Sequence, residues 1–239
     1  MTTDADVRKI SQPFLTRNRE FRYRKREIFR HPIQHMWTGF FIDRLSSARD
    51  VRTSWFAGVL FGPPPSFVAG IGNMIDGASG SLDDPAFAEQ FLENLEQVTV
   101  ELFPQIDTLR GLLRYTWVPF LGTGKSPISK ALLHTALGEF EAAESILSEW
   151  VHSEEKHLQW NAARIAQYYK KGSKGWQRQQ RSQDALVERL SELATLLELI
   201  SGSKCASIAS LLHRWETLSV QERGVLRYWE PSPFPFELA

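Results

Sequence analysis

Four groups of side chains in this sequence are of types and spacings that could do chemistry. The first is Leu121-Gly-Thr-Gly-Lys-Ser126, which a strand over Tyr115 to Phe120 would lead into and a helix would follow, the context of a phosphate-binding loop. That loop reads G-x-x-x-x-G-K-[ST] because consecutive backbone N–H groups must wrap the phosphates. Here the position of the first glycine is Pro119, which has no N–H to give. Pro127 follows Ser126, a serine N-cap with proline at the first helical position, so the segment reads as a capped turn and not a nucleotide site.

The second group is histidine and the third is the single cysteine. His152 and His157 flank Ser153, Glu154, Glu155 and Lys156, but five residues on a helix put the two rings about 140° apart, whereas a zinc-binding helix needs i and i+4. His31 and His35 have the four-residue spacing, yet Pro32 and the aromatic neighbours favour extended chain, where they would lie about 13 Å apart. His134 and His213 stand alone. Cys205 follows Lys204 near a helix start, where a thiol would gain reactivity if exposed, but its expected role is a buried small apolar side chain. With no G-x-S-x-G elbow either, the expectation is no catalytic set, no metal and no cofactor.

The fourth group is charge. Arg22-Tyr-Arg-Lys-Arg26, with Arg17, Arg19 and Arg30 nearby and Phe21, Tyr23 and Phe29 interleaved, has the composition of a nucleic-acid surface. On one strand, Arg22, Arg24 and Arg26 would share a side opposite Phe21, Tyr23 and Lys25, which also describes a charged edge strand. The nucleic-acid alternative therefore rests on Arg22, Arg24, Lys25, Arg26 and Arg30. From Asp76 to Glu101 the chain carries seven acids and no Lys or Arg. Within it Asp83, Asp84, Glu89, Glu93 and Glu96 are the candidate face for a protein partner, with a solvated helix as the alternative.

The elements that must position these groups follow from composition. Of 239 residues, 42% are apolar and 12% aromatic, which excludes an intrinsically disordered chain, and one cysteine excludes a disulfide framework. The formal net charge is zero, but residues 1–52 hold 12 basic and 6 acidic side chains and residues 53–108 hold 8 acidic and no basic ones, so the two segments are expected to pair with each other. The acidic start lacks the pattern of a secretory leader. The most apolar stretch, Trp55 to Ile75, is broken by Pro63, Pro64 and Pro65, so no membrane segment and a cytoplasmic location are expected.

A short helix is expected from Asp4 to Leu15, interrupted at Pro13, followed by strands over residues 21–31, 35–45, 53–61 and 66–71 and a glycine-rich loop through Gly80. Asp84-Pro85 starts an amphipathic helix on Phe87, Phe91, Leu95, Val98 and Leu102. Helices are then expected over 107–116, 127–139, 141–151, 154–170, 180–201, 204–216 and 219–229, the last begun by the Ser219/Glu222 capping box, before an extended tail anchored by Phe234 and Phe236. The expected class is α+β, an antiparallel or mixed sheet in residues 1–82 and a helical module over 83–239, the two packed together as one compact unit.

Gly138-Glu-Phe-Glu-Ala-Ala143 resembles the turn of a tetratricopeptide helix pair. Pro127, Lys130 and Ala131 stand where that family has Trp, Leu and Gly, and no second copy follows, so a generic helical hairpin is expected. The stretch His31 to Arg44, Leu102-Phe-Pro-Gln-Ile106 and the closing Pro233-Phe-Pro-Phe-Glu237 resemble bacterial proteins grouped with toxin-immunity domains. That resemblance implies a non-enzymatic, immunity-like protein that holds a protein partner and supplies no site residues. Nucleic-acid binding through residues 17–30 and an enzyme with a site assembled from distant residues are the alternatives.

Overall fold

The computed structural model describes residues 2–46, 49–64, 69–115 and 126–238. The fold is α+β. Helix α1 (Asp4–Arg17) precedes five strands, β1 (Phe21–Arg24), β2 (Glu27–Arg30), β3 (Met36–Arg44), β4 (Asp50–Val59) and β5 (Ala69–Ser81), which form one sheet in the order β1-β2-β3-β4-β5. The pairings β1–β2, β2–β3 and β3–β4 are antiparallel. Then come α2 (Pro85–Gln97), a π-helical turn (Val98–Leu102), α3 (Phe103–Ile106), α4 (Leu109–Arg114), α5 (Pro127–Ala136), α6 (Phe140–Tyr168), α7 (Lys174–Ser201) and α8 (Cys205–Arg223).

The chain forms two compact units. The first takes in residues 1–60, 70–124 and 225–232, the second residues 61–69, 125–224 and 233–239. Residue 82, expected as the boundary between the modules, lies inside the first unit, which also holds α2 to α4. The charge asymmetry supplies part of the reason. Arg49 clasps Asp83 with three hydrogen bonds of 2.8–3.1 Å, Arg17 meets Glu96 at 3.3 Å, and Arg30 meets Asp107 at 3.0 Å, so the basic first segment does pair with the acidic second one. The apolar part is an aromatic cluster in which Phe14 of α1, Phe21, Phe40 and Phe103 are fully or almost fully buried with ring centroids 5.1–6.1 Å apart.

Several elements depart from their expected bounds, each for a local reason. Residues 21–31 form a hairpin rather than one strand, since Lys25 and Arg26 adopt φ of 45° and 67°, the left-handed pair that a tight two-residue turn needs. Helix α1 runs through Pro13 to Arg17. The expected glycine-rich loop is strand β5. Gly72 sits so close to β4 that a Cβ there would lie 2.6 Å from the Trp55 carbonyl oxygen, so its glycine serves close approach and not flexibility.

In the second unit the expected pairs 141–151/154–170 and 204–216/219–229 are each one helix. No Gly or Pro lies between residues 140 and 168 or between 205 and 223, and Ser219 and Glu222 fall mid-helix instead of capping a new start. Helix α8 ends where Gly224 takes a left-handed φ of 62°. The tail docks as expected for Phe234, which is fully buried with its ring 5.1 Å from Phe61 and 4.7 Å from His213. Glu237 fixes it, accepting from the Phe234 N–H at 2.7 Å and lying 2.9 Å from His213 Nε2.

Candidate functional site

The structure separates the candidate residues by what they already hold. Of the acidic set, Asp84 is the N-cap of α2, accepting from the Ala86 N–H at 2.9 Å. Asp83 is taken by Arg49, and Glu96 by Arg17 and by the Asn18 amide at 3.1 and 3.2 Å. Glu89 and Glu93 remain as exposed carboxylates one helical turn apart. These five residues therefore divide into helix cap, internal ion pairs and two free charges.

The basic set divides in the same way. Arg22 donates to the carbonyls of Arg19 and Phe21, Arg24 lies 3.9 Å from Glu27, and Arg30 is held by Asp107 and covers the Phe21 ring at 5.7 Å. Lys25 and Arg26 form the turn, where the Tyr23 hydroxyl accepts from the Arg26 N–H and donates to Asp4 at 2.9 Å. Burial, then that hydrogen bond and the charge of Asp4, hold the Tyr23 phenol well above its ordinary pKa, so it acts as a permanent donor. Interleaved aromatics do not supply a stacking surface here either, because Phe21 and Phe29 are buried.

Ser126 caps α5 as expected, accepting from the Ser129 N–H at 3.1 Å, while residues 116–125 of the glycine-lysine segment and its preceding strand lie outside the described residues. Cys205 is an exposed free thiol, which corrects its expected burial. It opens α8 ahead of the first inward position, Ile208. His152 and His157 are both exposed on α6, and His31 and His35 both precede β3, with His35 Nε2 3.1 Å from the Ser232 hydroxyl. Among the described residues no group of three His, Cys, Asp or Glu is placed to hold a metal ion, and no helix is long and apolar enough to cross a membrane.

A surface that none of these motifs marked is built by α6 and α7. At 29 and 28 residues they run about 43 and 42 Å, and the connection Tyr169 to Ser173 turns the chain back. Their roots are antiparallel and anchored: the Ser201 hydroxyl meets Glu144, and Ala143, Leu147, Leu193, Leu196 and Ile200 are buried. Burial pushes the Arg189 guanidinium below its ordinary pKa, with the charge of Glu154 across the pair acting against it. Beyond that point the core ends. Of the described residues between Leu147 and Leu190, Ile165 alone is buried. The distal half is an arm of two helices with almost no interior.

Its side chains are not the mixture that a solvated hairpin carries. Residues 157–183 contain six Lys or Arg and no Asp or Glu, and all six basic side chains are exposed. Trp160 and Tyr168 are 57% and 69% exposed. The Arg164 guanidinium lies over the Trp160 ring at 4.8 Å, and the His157 ring meets it edge-on at 5.9 Å.

Helical geometry places these groups together. On α6, His157, Trp160, Arg164 and Tyr168 form a stripe rotated about 90° from the inward residues Leu158 and Ile165; on α7, Lys174, Arg178 and Arg181 form one rotated about 140° in the same sense from Gln179, Leu186 and Leu190. In an antiparallel pair the same sense of rotation means the same side. Of the acids that bound the run, Glu155 is rotated about 70° in the other sense, whereas Asp184 and Glu188 lie on the outward face of α7, about 60° and 20° around from Arg181. One side of the arm is thus basic and aromatic over about 17 Å of α6, and on α7 the acids begin only beyond Arg181, toward the root. The signal available for it was the acid-free run of 27 residues, which disappears in the near-balanced total of the segment containing it.

Such a surface can hold a polyanion by its phosphates and offer ring faces to flat groups. No protein-family model, curated protein or solved structure matches this chain, so the site is described by its own geometry alone.

Proposed function

We propose that this protein acts by binding, as a non-enzymatic interaction protein, and that its partner is a nucleic acid held on the α6–α7 arm. The carrying observation is the acid-free distal arm: exposed Arg164, Lys174, Arg178 and Arg181 beside exposed Trp160 and Tyr168, with no Asp or Glu from residue 157 to residue 183. Phosphate binding requires clustered cations that are not already neutralised from within, and the arm supplies them. The Arg22 to Arg30 hairpin supplies fewer, since Arg24 and Arg30 face carboxylates. A protein partner of the kind implied by the immunity-like resemblance would have Glu89 and Glu93 as its remaining acidic contacts on α2.

Fluorescence anisotropy of a labelled single-stranded oligonucleotide tests the reading. If four to six phosphates are neutralised, the slope of log K against log salt is about −3 to −4, and affinity falls roughly a hundredfold between about 50 and 200 mM salt. Absence of binding at 50 mM, or binding that ignores salt, overturns it.

A further inference from the structure

Resting on that reading, we propose that the arm recognises single-stranded nucleic acid, its bases stacked on Trp160 and Tyr168 while Arg164, Lys174, Arg178 and Arg181 hold the phosphates. A duplex presents phosphates but keeps its base faces covered, so two large exposed rings beside the cations would gain nothing from it. An unpaired strand presents both. The spacing agrees with this. Trp160 and Tyr168 are eight residues apart on one stripe, about 12 Å along α6, so the rings can take separate bases and not the two faces of one. Arg164 lies between them with its guanidinium against Trp160, where its plane extends the stacking platform.

The same elements argue against an anionic membrane as the partner. A helix that lies in a membrane surface buries a broad aliphatic face. On this stripe the residues between and beside the two rings are His157, Arg164 and Gln167, and the large aliphatic side chains of the distal α6, Leu158 and Ile165, face inward, leaving alanines as its exposed aliphatic residues.

The test compares the full chain with the Trp160→Ala/Tyr168→Ala variant on oligodeoxythymidylate, oligouridylate, a DNA duplex of equal length and vesicles containing phosphatidylserine. Both substitutions are at exposed sites, and unchanged circular dichroism checks the fold. The expected result is a loss of about tenfold or more on a single-stranded probe, little change on the duplex, and an unchanged salt slope, because the cations remain. Trp160→Phe/Tyr168→Phe restores most of the affinity. The tighter of the two single-stranded probes identifies the sugar. Equal losses on single strand and duplex, no loss on either, or binding to vesicles alone would overturn the inference. Duplex binding with the steep salt dependence would leave the broader reading standing, and no binding to any oligonucleotide would remove both.

Discussion

Replacing Lys174, Arg178 and Arg181 together by glutamate is expected to lower affinity for a single-stranded oligonucleotide on the order of a hundredfold at about 0.1 M salt. Each phosphate contact contributes about 0.7 to the salt slope on a single strand, so three contacts account for about 2, and that slope acting over the tenfold span from 0.1 to 1 M gives the factor. Reversal of sign adds repulsion to this loss. All three side chains are exposed and none caps a helix or joins an ion pair among the described residues, so stability should stay within about 0.5 kcal/mol. Reversing Arg22 and Lys25, the exposed cations of the β1–β2 hairpin, should change affinity less than about threefold, since they belong to the first unit and not to the stripe on the arm. An equal loss from the two sets would mean that net charge, and not the arm, sets the affinity.

The largest stability effect is expected from Gly39→Ala. Gly39 of β3 is in register with Phe29 of β2, and a Cβ at residue 39 would lie 2.1 Å from the Ile28 carbonyl oxygen and 2.7 Å from Phe29 Cα. Both are backbone atoms of a paired strand, so no side chain can turn aside. The two strands must separate, and the fully buried Ile28, Phe29 and Phe40 around the contact lose their packing. A loss of about 3 kcal/mol or more in urea unfolding is expected, above the usual cost of an overpacked core. Gly172→Ala is the control. Gly172 has φ of 82° with nothing within 4 Å of the added carbon, so it carries backbone strain alone, about 1 kcal/mol. A Gly39→Ala variant as stable as the Gly172→Ala variant would show that β2 and β3 do not pair in this register.

What could be read from the sequence is what local chemistry determines. Asp84-Pro85 and Ser126-Pro127 fix two helix starts because a cap and a first-turn proline act within one turn. Strands β3 and β4 are dense in aromatic and β-branched residues, and Phe234 finds a buried place because a large apolar side chain near the end of a chain gains by docking. The pairing of basic with acidic segments was also legible from composition, and Arg49–Asp83 and Arg17–Glu96 realise it.

The remainder depends on context that local patterns lack. Ser219 and Glu222 have the spacing of a capping box, but a box starts a helix only where the preceding turn is not already helical. Gly70, Gly72, Gly77 and Gly80 are loop-like in isolation; the proximity of the Trp55 backbone to Gly72 is what places glycine in a strand. The candidate charges Asp83, Glu96, Arg24 and Arg30 cannot be known as internally paired until their partners 3 to 79 residues away are in place. Conversely, Trp160 and Tyr168 have the look of core residues on a helix, and only the ending of the interior near Leu147 and Leu190 leaves them outside.

Ultraviolet cross-linking of the full chain to oligodeoxythymidylate, followed by peptide mass mapping, tests the central claim most directly. Cross-linked residues are expected within residues 157–181, at Trp160 and Tyr168 foremost. Cross-links confined to the hairpin from Phe21 to Arg30, or spread over the chain with none in the arm, would contradict it.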